Sequence, residues 1–198
     1  MYFPDKPQQA TRVVFIRHAE SDRNIKDGKT RPLTTQGYVD AQRLPEALQG
    51  VPLDAVYSSP YRRAVETVQP LARIRGLEVL IKQGFHERIS EWVEKPADWK
   101  AFIRQQWADF TFTQSDGESL DVVQNRNIIA VNEILTECPQ RTVAVGTHGT
   151  ALITVLNYYD TRYGYDDFAR IEYMMPYVVV CDFMGSVCFA IHEIGGLQ

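Results

Sequence analysis

Only three cysteines, Cys138, Cys181 and Cys188, occur in 198 residues, and they form neither a closely spaced metal motif nor an even disulfide set. That excludes a disulfide scaffold or a cysteine-ligated zinc centre as the organising feature. Cys181 and Cys188 fall on what reads as one hairpin, so a bridge between them stays open. No apolar run approaches the roughly 20 residues that span a bilayer, and Met1 to Lys6 lacks a basic segment followed by an apolar one. The expectation is a cytoplasmic protein with no membrane partner. Excess positive charge is missing too: 21 basic residues stand against 25 acidic ones, a formal net charge of -4. No overall field is available to hold nucleic acid, so any anion must be bound by a local cluster. There is also no internal repeat, linker or low-complexity tract.

What is present describes an ordinary folded protein. Hydrophobic residues make up 44%, aromatic 11% and charged 23%, and the length suits one domain over 1–198. Thr11 to Ile16 reads as a buried strand and runs straight into Arg17, His18, Ala19 and Glu20. Helical spacing over Gln36 to Leu48, a strand at Asp54 to Tyr57, a helix from Tyr61 to Ile74 closed by Gly76 and a strand at Leu77 to Ile81 continue the alternation. From Phe85 to Phe112 the pattern changes: Trp99, Phe102, Ile103 and Trp107 recur at helical spacing, which predicts a helical insertion around 85–115. Ser115 and Glu118 form an S-x-x-E start signal for a long helix through Leu135. Thr142 to Gly146 is β-rich and leads directly into Thr147, His148 and Gly149, while Tyr177 to Phe183 and Val187 to Ile191 read as a closing hairpin. The fold class expected is α/β, a three-layer sandwich whose mainly parallel central sheet carries helices on both faces.

Functional groups of open α/β sheets lie at carboxyl strand ends. Arg17, His18 and His148 follow two strands directly, and Arg63 stands just inside the helix after Ser58, Ser59 and Pro60. Two guanidiniums and two imidazoles at one rim suit a phosphoryl group: the arginine fork matches its oxygens, and a neutral imidazole can attack phosphorus. A metal site built on the two histidines is disfavoured, because the arginines would repel a dication and no carboxylate completes a ligand spacing. Gly28-Lys29-Thr30 imitates the end of a P-loop, but Arg23 occupies the first glycine position and Pro32 blocks the following helix. A polar loop is expected there, with Thr30 able to contact a phosphate oxygen. The tyrosines from Tyr158 to Tyr177 read as core-edge residues, with a cleft or a homodimer contact as the other use.

Five features, taken together and in order, resemble the histidine phosphatase superfamily, also called phosphoglycerate mutase-like. They are Arg17-His18-Ala19-Glu20-Ser21 with Asn24; Leu33-Thr34 with Gly37 and Ala41; Ser58-Ser59-Pro60 with Arg63, Ala64, Glu66 and Thr67; Gly117-Glu118-Ser119; and Thr147-His148-Gly149. The resemblance implies a phosphatase that cleaves small phosphomonoesters through a phosphohistidine on His18, with no cofactor and no metal. Arg17, Arg63 and His148 would hold the phosphoryl group, Asn24 would give a secondary contact, and Gly149 would complete the pocket. The family's acid-base residue maps to Glu87, with Glu91 as substitute, since the residues around Glu87-Arg88 depart from the family's usual pattern. Arg88 and Trp92 are the candidates for substrate specificity. A mutase, a phosphohistidine protein phosphatase and a non-catalytic phosphate binder are the alternatives. Phosphoenzyme formation is expected to fall on the acid side as His18 gains a proton.

Overall fold

The computed structural model describes residues 3–89, 99–113 and 117–196. Six strands form one sheet in the order β3-β2-β4-β1-β5-β6. The strands are β1 (Thr11–Arg17), β2 (Ala55–Ser58), β3 (Val79–Ile81), β4 (Thr142–Thr147), β5 (Tyr177–Met184) and β6 (Val187–Gly196). The first four run parallel, and β5 and β6 add an antiparallel hairpin beside β1. This is the mixed α/β sandwich expected.

Alternation along the central strands explains the layers, because successive side chains leave opposite faces. Val13 and Phe15 of β1, with Val143 and Val145 of β4, face one core, which Ile128, Val131, Leu152 and Val155 cover from α4 (Leu120–Glu137) and α5 (Gly149–Tyr159). Val14, Ile16 and Ala144 face the other, closed by Leu44 of α1 (Thr35–Ala47) and Val68 and Leu71 of α2 (Arg62–Arg75). Every residue of β1 and β4 is buried. A strand covered on both faces in this way reads as a near-continuous apolar run, which is how both were visible in the sequence.

The remaining helices are α3 (Trp99–Ala108) and α6 (Tyr165–Ile171), joined by Trp107 and Phe168 with ring centroids 5.9 Å apart. The β5-β6 turn holds Gly185 at φ +60, a left-handed conformation that favours glycine. Cys181 and Cys188 of this hairpin are free thiols in contact with each other. Arg12 and Asp182, opposite one another on β1 and β5, form a buried two-pronged pair at 2.7 and 2.7 Å. Much of its attraction is offset by desolvation.

Two expectations change. The long helix begins at Leu120 after Ser119, not at Ser115, which lies outside the described residues. Glu118 cannot act as the third residue of a capping box because its carboxylate is committed to Arg126. Second, Gly149–Tyr159, for which the sequence pattern predicted no element, is helical. Among the described residues no helix is long and apolar enough to cross a membrane.

Candidate active site

Four strand and helix ends meet above the carboxyl edge of β1 and β4. Arg17 closes β1 and His18 follows it, with the His18 amide donating to the Thr147 carbonyl at 2.9 Å, so the two histidine-bearing turns are stitched together by backbone. The imidazoles of His18 and His148 lie edge to face with centroids 5.2 Å apart. Tyr61, at the cap of α2, places its ring 5.3 Å from that of His148 and carries the Arg63 guanidinium 5.2 Å above its centroid. Arg17, His18, Arg63 and His148 are all buried.

The hydrogen bonds assign each imidazole a tautomer. His18 Nδ1 lies 2.7 Å from the Ala19 carbonyl oxygen, which can only accept. Nδ1 therefore carries the proton, and Nε2 keeps its lone pair. Ser59 Oγ accepts from the Tyr61 amide at 3.2 Å, and His148 Nε2, 2.7 Å away, is the one acceptor within reach of its own hydrogen among the described residues, so that hydrogen is directed at the nitrogen. His148 Nδ1 is then the protonated atom, and it is buried with no protein partner. A buried donor left unpaired is costly, and an anion's oxygen is the partner that suits it.

Burial pushes the His18 pKa well below 6.5, and the charges of Arg63 and Arg17 push it further. His148 moves the same way, through burial and then Arg63. Both rings are thus neutral across the physiological range, and the acid-side loss expected for His18 is displaced below histidine's ordinary value. Burial lowers Arg17 and Arg63 to about 10, still cationic at neutral pH, and Glu87 is the strongest compensating charge for each.

Arg17 is anchored through its terminal nitrogens to the carbonyls of Ile171, Glu172 and Met174, which leaves Nε buried and unpaired. Gly149 permits this pose: a Cβ there would sit 3.3 Å from Arg17 Nε. Arg63 donates one bond, Nη1 to the Gly28 carbonyl at 2.6 Å. Glu87 reaches the amino end of α5, accepting from Thr150 N at 3.1 Å, Ala151 N at 3.3 Å and Arg88 N at 2.7 Å.

The structure therefore brings Arg17, His18, Arg63, Glu87, His148 and Gly149 together. Arg88 stands beside them, its guanidinium 5.7 Å over the Trp99 ring and 5.9 Å over that of Phe102. Asn24 and Thr30 occupy an exposed loop, where Thr30 donates its hydroxyl to Asp27 at 2.7 Å. The Gly28-Lys29-Thr30 stretch is the polar turn expected, not the start of a helix. Glu91 and Trp92 lie outside the described residues.

Sequence reasoning missed several contributors. Ser59 orients His148. Thr67 accepts from the Ala19 amide at 2.9 Å while bonding the Arg63 carbonyl at 2.7 Å, tying the loop after β1 to α2. Arg31 lies close enough to His18 and Arg63 to disfavour their charged forms, and Arg23 does so for Arg17. Ser59 and Thr67 belong to the motif already noted, which was the available signal. Among the described residues no group of three or more His, Cys, Asp or Glu could hold a metal ion.

Comparison with known proteins gives the same neighbourhood. The phosphoserine phosphatase 1 of Hydrogenobacter thermophilus is 29% identical over 151 residues, covering 69% of this chain and 70% of that one. A Schizosaccharomyces pombe protein named as a probable phosphatase is 28% identical over 80 residues, or 38% of this chain; the match spans only 28% of that relative's length. The solved structure of Bacillus stearothermophilus YhfR superposes with a TM-score of 0.75 at 25% identity, covering 95% of this chain and 98% of that one. The family model of the histidine phosphatase superfamily, branch 1, matches residues 13–188, a span that holds every member of the cluster described above. This chain belongs to the histidine phosphatase superfamily.

Proposed function

We propose that the protein hydrolyses small phosphomonoesters through a covalent phosphohistidine on His18. The observation that carries this reading is the turned imidazole: Nδ1 is bound to the Ala19 carbonyl, and Nε2 is left as a lone pair beside Arg17, Arg63 and the unpaired Nδ1 of His148. Nε2 attacks phosphorus; the N–P bond forms, the bond to the leaving oxygen breaks, and that oxygen takes a proton from Glu87. Water then attacks, giving its proton to Glu87 as the N–P bond breaks and inorganic phosphate leaves. Arg17, Arg63 and His148 stabilise the charge on the transferring group from fixed, buried positions, which is where electrostatic stabilisation is most effective.

Gly149 serves the pocket by letting Arg17 approach. Arg88, held over aromatic faces one residue from the acid, is the candidate contact for the leaving group. Asn24 is a second phosphate contact, and Thr30 joins it only by releasing Asp27. A small phosphorylated substrate is supported by the relative named as a phosphoserine phosphatase.

The test follows inorganic phosphate and product isomers together. With phosphoserine or 3-phosphoglycerate, one phosphate should be released per alcohol formed, in the presence of a chelator. Isomerised phosphoglycerate with no free phosphate, dependent on a bisphosphate primer, would make the protein a mutase instead. Stoichiometric phosphate binding without turnover would make it a binder.

A further inference from the structure

We propose that Glu118 and Arg126 are positioning residues for proton transfer, forming a clamp that holds the segment carrying Glu87 at the reaction centre. The proposal rests on the reading of Glu87 as the acid-base residue.

Glu87 belongs to no helix or strand; it follows a single 3-10 turn, Gln83–Phe85, in irregular chain. A carboxylate on such a segment needs restraint from elsewhere, since a misplacement of about 1 Å can cost on the order of 100-fold in rate. Arg126, on α4, provides it from one side: Nη1 donates to the carbonyls of Gly84 at 2.8 Å and His86 at 2.6 Å. The rest of the guanidinium grips Glu118, Nε to Oε1 and Nη2 to Oε2, both at 2.9 Å. Glu118 completes the bracket downstream, where Oε2 accepts from the Ile89 amide at 2.8 Å and its own amide donates to the Ile89 carbonyl at 3.0 Å. The chain is therefore fixed at 84, 86 and 89, on both sides of Glu87.

Two further observations agree. The paired side chains are only 16% and 15% exposed, so solvent screens their contact little. Gly84 is pressed onto α4 so closely that a Cβ would lie 2.6 Å from the Arg126 carbonyl oxygen. Neither Arg126 nor Glu118 belongs to the apolar core that seats α4, which is built from residues such as Leu120, Val123, Val131 and Ile134. What the pair fixes is the path of residues 84–89.

The discriminating measurement is kcat/KM across alkyl, phenyl and 4-nitrophenyl phosphates, since this ratio reports the first phosphoryl transfer. An alkoxide leaving group needs the proton; 4-nitrophenolate departs without it. Glu87→Gln should lower the ratio for alkyl phosphates on the order of 100-fold and leave 4-nitrophenyl phosphate nearly unchanged. Arg126→Met and Glu118→Gln should show the same selective loss at about tenfold, and so should Arg126→Lys, which keeps the charge but lacks the fork. An equal fall for every ester, or no fall, in a selective Glu87→Gln background of results overturns the clamp alone. A Glu87→Gln profile independent of the leaving group overturns the acid assignment and the clamp with it. Should Arg126→Met fail to fold, the near-isosteric Glu118→Gln reads the same ratio.

Discussion

His18→Ala is expected to reduce turnover of any phosphomonoester by roughly ten-thousand-fold or more, with secondary structure intact by circular dichroism. The imidazole that packs against His18 cannot replace the lost nitrogen. His148 is the only other imidazole in the cluster; its Nε2 is occupied by Ser59, and its Nδ1 carries the proton. Residual activity within about tenfold of the parent would mean that another nucleophile operates. The same residue sets the pH dependence of the first turnover. The reactive form of His18 is the neutral one, and burial with Arg63 and Arg17 holds its pKa well below 6.5, so the neutral form persists as pH falls through histidine's usual range. Rapid-quench rates, corrected for the substrate's own phosphate ionisation near pH 6, should stay level there and decline only at more acid pH. A corrected decline centred at or above 6.5 would contradict the electrostatics described.

Replacing either buried arginine of the cup should produce the next largest loss. Arg17→Ala is expected to lower kcat/KM on the order of 100- to 1,000-fold, the usual consequence of deleting a preorganised donor to a transferring group. Arg17→Lys should rescue little. The native side chain spans three carbonyls, those of Ile171, Glu172 and Met174, while aiming Nε beside Gly149; an ammonium cannot do both. Arg63→Ala should fall in the same range, since its guanidinium lies beside His18 and over Tyr61. Arg162→Ala serves as control: that side chain is 89% exposed and engaged with Asp160, so its loss should leave the steady-state constants within about twofold.

The parts of this molecule that could be read in advance are those whose signal is local. Both histidine-bearing turns follow apolar strands immediately, so the residues at 17, 18 and 148 were visible as charge placed at the end of a buried run. Gly76 closes α2 in the left-handed conformation, as its position after the helical pattern suggested. The α5 segment escaped because Ala151 to Leu156 is buried on all sides, and a helix that is apolar all round shows no 3.6-residue period. The false start at Ser115 arose because Glu118 supplies the right residue for a capping box while its partner is eight positions onward, at Arg126. Partners remote in the chain leave no pattern at all. The anchor of Arg17 on the Ile171 carbonyl spans 154 positions, and the Arg12–Asp182 pair spans 170. Glu87 falls between these cases: its carboxylate was a candidate by resemblance, but the amides of Thr150 and Ala151 that receive it come from another element.

A crystal structure with vanadate, which adopts the five-coordinate geometry of a transferring phosphoryl group, tests the central claim most directly. The account predicts a bond from vanadium to His18 Nε2, equatorial oxygens contacted by Arg17, Arg63 and His148 Nδ1, and the Glu87 carboxyl facing the apical oxygen opposite. Vanadate seated away from His18, or bonded to any other side chain, would contradict it.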